Sequence, residues 1–109
     1  MVSKFNIFMM PLALNSLDDI HEYIEYCSNN PVIADKVRRR IILFIDKLSD
    51  MPFIGKKVDY DKVQGKNIRR ITFDKKYNIF YRVDEQAQTV YILKITNGKQ
   101  NIDRQLFGL

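Results

Sequence analysis

The stretch NIRRITFDKKYNIFYRVDEQAQTVYILKIT, residues 67–96, decides the fold class. Three runs within it, Asn67 to Phe73, Tyr77 to Val83 and Gln88 to Thr96, are rich in Ile, Val, Tyr, Phe and Thr, which suit a pleated, half-buried surface. The polar links Asp74-Lys75-Lys76 and Asp84-Glu85-Gln86-Ala87 separate them, so two successive hairpins make a three-strand antiparallel meander. Side chains alternate along a strand. Ile71, Phe73, Tyr77, Ile79, Tyr81, Val83, Tyr91, Leu93 and Ile95 form the more apolar face and are expected to cover the rest of the core. The other parity carries Arg70, Thr72, Asn78, Phe80, Arg82, Val90, Ile92 and Lys94. That mixture suits a docking surface, on which a partner buries apolar groups while its acids or phosphates meet Arg70, Arg82 and Lys94. An open face with ordinary polar decoration, or one covered by the chain's own tail, is the alternative.

Upstream, Phe5, Ile7 and Met9 alternate with Lys4, Asn6 and Phe8, the period of a half-buried strand. Asn6 and Pro11 interrupt the apolar stretch from Phe5 to Ala13, which argues against a secretory signal. Asn15 or Ser16 is expected to cap a helix whose first turns hold Asp18, Asp19 and Glu22 against the helix dipole. Leu17, Ile20, Ile24 and Cys27 recur on it at steps of three and four. His21 flanks that stripe without a sequence-local partner, so it reads as a boundary packing residue and not as a base. Ser28-Asn29-Asn30-Pro31 then ends one helix and starts another, with Asn as cap and Pro in the first turn. So short a connection makes an antiparallel helical hairpin. Its second arm carries Ala34, Val37, Ile41, Phe44, Ile45 and Leu48 on one face and ends near Asp50, before Pro52. Arg38-Arg39-Arg40 lies off that stripe and reads as a solvated face, partly neutralised by Asp35 and the acidic first helix. Residues 52–65 read as an irregular connector, of a length that is uncommon unless it packs or binds something. The residues from Lys99 to Leu109 form a short basic tail.

The 109 residues therefore make one α+β domain, 1–109, with an N-terminal strand, a helical hairpin and a three-strand meander. A chain of this size supports one core, which excludes a separate cofactor-binding domain. The single Cys27 and the single His21 cannot build a disulfide or a zinc cluster, so no cofactor or metal is expected and a reducing, cytoplasmic setting fits. No stretch approaches the length of a membrane span. The formal charge is +5. Residues 1–65 hold nine basic and nine acidic residues, whereas 66–109 hold nine basic residues against four acids. All the excess thus belongs to the C-terminal part, an asymmetry that suits an acidic partner or a nucleic acid.

The order of these elements, with Leu17-Asp18-Asp19-Ile20, Met51-Pro52-Phe53-Ile54-Gly55, Ile68-Arg69-Arg70, Tyr77-Asn78-Ile79-Phe80-Tyr81-Arg82-Val83 and Ile92-Leu93-Lys94-Ile95-Thr96-Asn97-Gly98-Lys99-Gln100, resembles the RelE/ParE superfamily of bacterial toxins. These are the growth-arresting components of type II toxin–antitoxin systems, also called plasmid stabilisation proteins. The resemblance implies a cognate antitoxin from the adjacent gene, a DNA-binding protein whose acidic, partly apolar segment wraps the toxin in a hetero-oligomer. It also implies one of two activities. RelE-like toxins cleave messenger RNA on the ribosome, and ParE-like toxins poison DNA gyrase by binding. The positions where RelE-like toxins keep an Arg late in the first meander strand, and an Arg and a Tyr after the sheet, align with Phe73, Gln100 and Leu106, which lack that chemistry. Ile92 to Gln100 instead resembles the ParE pattern of a strand ending in a His-Gly-Arg-like turn, with Asn97 and Lys99 in place of the His and Arg. The ParE-like reading is therefore favoured, with Arg70, Phe80, Arg82, Lys94, Lys99 and Arg104 as candidates for contact with target and antitoxin. Should the protein be a nuclease, Lys66, Arg69, Arg70, Lys99 and Arg104 are the candidate basic cluster. A toxin-fold interaction module without toxicity is the third alternative.

Overall fold

In a computed structural model, residues 4–58 and 67–97 are described. Strand β1 (Asn6–Met9) leads into helices α1 (Pro11–Ser28) and α2 (Pro31–Asp46) and a single 3-10 turn, Lys47–Ser49. Strands β2 (Lys56–Lys57), β3 (Ile68–Phe73), β4 (Tyr77–Asp84) and β5 (Thr89–Asn97) follow. They form one sheet in the order β1-β5-β4-β3-β2, with β1 parallel to β5 and every other pairing antiparallel. The meander and the helical hairpin are where their residue patterns predict them. The connector, however, holds a fifth strand, the pair Lys56-Lys57 against Arg70 and Arg69. Two lysines have no strand signature, and only the open edge of β3 gives them a partner.

The first helix starts five to six residues earlier than its polar caps suggest. Pro11 opens it, with Met10 in an extended conformation at the cap position and no side-chain cap. Proline's fixed φ suits the first helical turn, which lacks backbone acceptors for its N–H groups anyway. Ser16 is consequently mid-helix and buried, and its hydroxyl donates to the Leu12 carbonyl at 2.7 Å. Asn29 ends α1 in the left-handed region at φ 53°. Asn30 caps α2 as its sequence predicts, its side chain accepting from the Val32 N–H at 2.9 Å.

The core lies between the hairpin and one face of the sheet. Leu17 and Ile20 of α1, Ile41 and Ile45 of α2, and Leu48 meet Tyr77, Ile79, Tyr81, Ile92 and Ile95 of the sheet. Ile24, Val37, Phe44, Phe5, Ile7 and Met9 pack around them, whereas Cys27 is exposed. Burying side chains of this size contributes about 1.5–3 kcal/mol each, so this layer dominates the stability of the domain.

Simple alternation fails in β5. Phe80 faces Lys94, but the next residue, Tyr81, faces Ile92, so Leu93 is an extra residue that shifts the register. Such a bulge reverses the parity of everything beyond it. Val90 and Ile92 therefore belong to the core and not to the far face, while Tyr91 moves to the far face with Arg82. Tyr91 and Leu93 were both expected beneath the helices; neither belongs to the core cluster.

Candidate interaction surface

Strand register assembles the far face in cross-strand rows. Lys56 pairs with Arg70, Arg70 with Phe80, and Phe80 with Lys94, so one row runs across β2, β3, β4 and β5. A second row joins Phe8, Tyr91, Arg82 and Ile68. The Arg82 guanidinium lies 4.7 Å from the centre of the Tyr91 ring, and Phe8 packs on Tyr91 at 5.9 Å between centroids. A cation over a π face keeps its charge while its stem is held in place. The third row is polar: Thr72 donates to the Asn78 side chain at 2.9 Å, and Thr96 stands beyond it.

Four cations, Lys56, Arg70, Arg82 and Lys94, thus share a face on which none has an ion pair among the described residues. Their access to solvent differs. Lys56 is exposed and Arg70 and Arg82 are half-buried, whereas Phe80 and Lys94 are buried. The open contact points are therefore the arginines, Lys56 and the exposed ring of Phe8, with Phe80 and Lys94 forming a closed centre. Phe8, Tyr91 and Lys56 escaped sequence reasoning, because only pairing between distant strands brings them beside the arginines.

Arg69 points the other way. Adjacent strand residues take opposite faces, so Arg69 cannot join Arg70 in one basic cluster. Its guanidinium donates to the Gly55 carbonyl at 2.7 Å and the Phe53 carbonyl at 3.3 Å, and lies 5.1 Å from the Phe53 ring centre. Tyr81, its cross-strand partner, accepts the Gly55 N–H at 2.8 Å. Arg69 and Tyr81 together pin the chain between the helices and β2. Burial holds the Tyr81 phenol above its ordinary pKa, outweighing the Gly55 N–H and the Arg69 charge, which act to lower it. Burial likewise raises Tyr77, aided by the Asp74 charge. Both phenols are therefore neutral at physiological pH and unsuited to act as bases there.

His21 also has a structural task. Its Nε2 is 2.7 Å from Asp35 of α2, and Nδ1 is 3.8 Å from Glu25 one turn along α1. Glu25 is a sequence-local partner that the reading of the stripe overlooked. Arg38 pairs with Asp18 of α1 at 3.0 Å, across the hairpin and not with Asp35. Arg40 lies over the Phe73 ring at 5.4 Å, so Phe73 is part of an aromatic seam with Phe44 and Tyr77. Among the described residues, no group of three His, Cys, Asp or Glu is placed to hold a metal, and no helix is long and apolar enough to cross a membrane. Lys66, Lys99, Gln100, Arg104 and Leu106 lie outside the described residues.

Residues 7–102 match the sequence family of the ParE toxin of type II toxin–antitoxin systems. None of the curated proteins is significantly similar to the chain in sequence. Among solved structures, the chromosomal ParDE system of P. aeruginosa matches with a TM-score of 0.71 at 20% identity, over 86% of this chain and 96% of that one. The RelBE2 toxin–antitoxin complex of Mycobacterium tuberculosis matches with a TM-score of 0.65 at 19% identity, over 86% and 98% of the two chains. The isolated E. coli RelE toxin is more distant, with a TM-score of 0.55 at 10% identity over 89% and 87%. At these identities the structural likeness establishes the fold.

Proposed function

The chain belongs to the ParE toxin family of type II toxin–antitoxin systems, and from that premise we propose that it arrests growth by binding and poisoning DNA gyrase through the basic far face of its sheet. A cognate antitoxin from the adjacent gene neutralises it by covering overlapping surface. The observation that carries this reading is the gathering of Lys56, Arg70 and Arg82 on one face, with no acid among the described residues paired to any of them. Such an array attracts and orients an acidic or phosphate-bearing partner. Among the described residues it supplies charge without a carboxylate to act as proton acceptor. RNA cleavage needs a group that takes the 2′-hydroxyl proton and cations that converge on the phosphate. On the described surface Arg69 and Arg70 diverge to opposite faces and the phenols of Tyr77 and Tyr81 are held neutral, which favours binding over catalysis.

Inducible expression without the antitoxin gene tests toxicity first: growth arrest is expected, and unimpaired growth would leave an interaction module. Purified protein is then expected to stabilise gyrase–DNA breaks in supercoiling and cleavage assays. Intact gyrase function together with cleaved ribosome-bound message would replace this reading with the nuclease one. Arg70→Ala with Arg82→Ala is expected to relieve growth arrest while the purified domain stays folded by circular dichroism; full toxicity of that variant would move the site elsewhere.

A further inference from the structure

A groove of about 390 Å³ opens between β1 and the two helices on the side away from the basic rows. Ile7 and Met9 line it from β1, Leu14 from α1, and Ile42 and Leu43 from α2. Leu14 is 47% exposed, Ile42 46% and Leu43 66%. Single exposed aliphatics are ordinary, but a groove that gathers several marks a surface that meets another molecule. Two charged residues, Arg38 and Asp46, also line the groove.

Those two charges identify the occupant. Arg38, Ile42 and Asp46 stand at i, i+4 and i+8, one stripe of α2 with opposite charges four residues either side of an exposed isoleucine. Four residues of helix span about 6 Å. A second α2 laid antiparallel about a two-fold axis at Ile42 sets each Arg38 against the partner's Asp46, so the stripe is complementary to itself. Asp46 has no partner among the described residues, and Arg38 uses only one terminal nitrogen on Asp18.

The adjoining sheet edge obeys the same symmetry. Asn6 donates to Gln88 and Met10 to Ile92, so β1 turns the backbone groups of alternate residues, Ile7 and Met9, away from β5 toward an edge that is open among the described residues. At the opposite edge Lys56 and Lys57 present charge that discourages strand pairing, and β1 has no such guard. A two-fold axis normal to the sheet makes β1 meet β1 antiparallel while α2 meets α2 antiparallel. The edge is closed at Phe5, which exchanges two hydrogen bonds with Ser49, so the helix stripe supplies most of the contact.

We propose that this groove seats a second copy of the chain in an isologous dimer built on the Arg38–Ile42–Asp46 stripe and the open edge of β1. The proposal rests on neither the gyrase reading nor the basic face. Sedimentation of the full chain across a wide concentration range is expected to show a mass rising from 13.0 kDa to twice that value. Ile42→Glu and Asp46→Arg are each expected to weaken dimerisation about tenfold or more, with unchanged circular dichroism, since both positions line an open groove. Arg38→Asp combined with Asp46→Arg exchanges the charges and is expected to restore the dimer. A mass of one chain at every concentration would overturn the proposal, as would a dimer indifferent to Ile42→Glu and Asp46→Arg. A single chain that buries the groove only when an amphipathic helix of the antitoxin is added would overturn it too, and would assign the groove to that partner.

Discussion

On the helix side of the sheet, Ile79, Tyr81 and Ile95 meet Leu17, Ile41 and Ile45 in a closed layer; on the far side, the neighbouring strands hold Arg70, Phe80, Arg82 and Lys94 in rows that no described carboxylate neutralises. The difference teaches that this sheet separates stability from recognition across its own thickness. A residue on one face is held by the neighbours it excludes from water. On the other face, the arginines keep their charge available because no described acid has been spent on them. Substitutions on the two faces should therefore fail in different assays.

The largest contrast is thermodynamic. Ile41→Ala and Ile79→Ala each empty a fully buried site and should cost about 2–5 kcal/mol in chemical denaturation. Arg82→Ala should stay within about 0.5 kcal/mol of the parent while lowering toxicity. Equal losses on both faces would break the comparison.

A smaller effect is expected where the core side grips the connector. Tyr81→Phe leaves the Gly55 N–H without its acceptor and should cost about 1–3 kcal/mol by the same measurement. Gly55 itself has no room for a side chain, since a Cβ would sit 2.6 Å from the Tyr81 hydroxyl and 2.9 Å from the Arg70 carbonyl oxygen. Tyr81 and Tyr77 also set an alkaline limit. Both phenols hold their protons more tightly in the folded chain than in the unfolded one. The unfolded chain therefore loses protons first as pH rises past the ordinary tyrosine value of about 10, and stability falls from there through the raised folded values. Below that pH their contribution is complete and constant. Thermal denaturation against pH should show this decline above about pH 10, shallower in Tyr81→Phe; an unchanged slope would mean that Tyr81 is not its source.

The smallest change sharpens the far side. The Thr96 hydroxyl is buried with no hydrogen-bond partner among the described residues, so Thr96→Val should be neutral or stabilising by up to about 1 kcal/mol. A loss of more than that, read by denaturation, would show that the hydroxyl has a partner in solution.

Much of the fold was legible because its signals are local. Asn30-Pro31 stops and restarts a helix through its own side chain and ring, and Asp74-Lys75, both at positive φ, turn between two runs whose β-branched and aromatic residues already read as strands. The candidate surface was legible in part. Arg70 and Arg82 follow from simple alternation in β3 and β4, which the bulge leaves intact. In β5, Val90, Tyr91, Ile92 and Leu93 are all apolar, so no polar residue marks which parity faces inward, and one extra residue at Leu93 decided it.

By itself, then, the amino-acid sequence determined the element order, the helical hairpin, the meander and the concentration of cations beyond Gly65, because periodicity, caps and composition act within a few residues of chain. Only the tertiary structure decided that Lys56 and Phe8 join the basic rows and that Phe80 and Lys94 are closed to solvent. The same holds for Arg69, which is spent on the connector, and for His21 and Arg38, which bridge α1 and α2. Each of those outcomes depends on which strand or helix becomes a neighbour, and that choice is made by burying the shared core, not by the residues that end up beside one another.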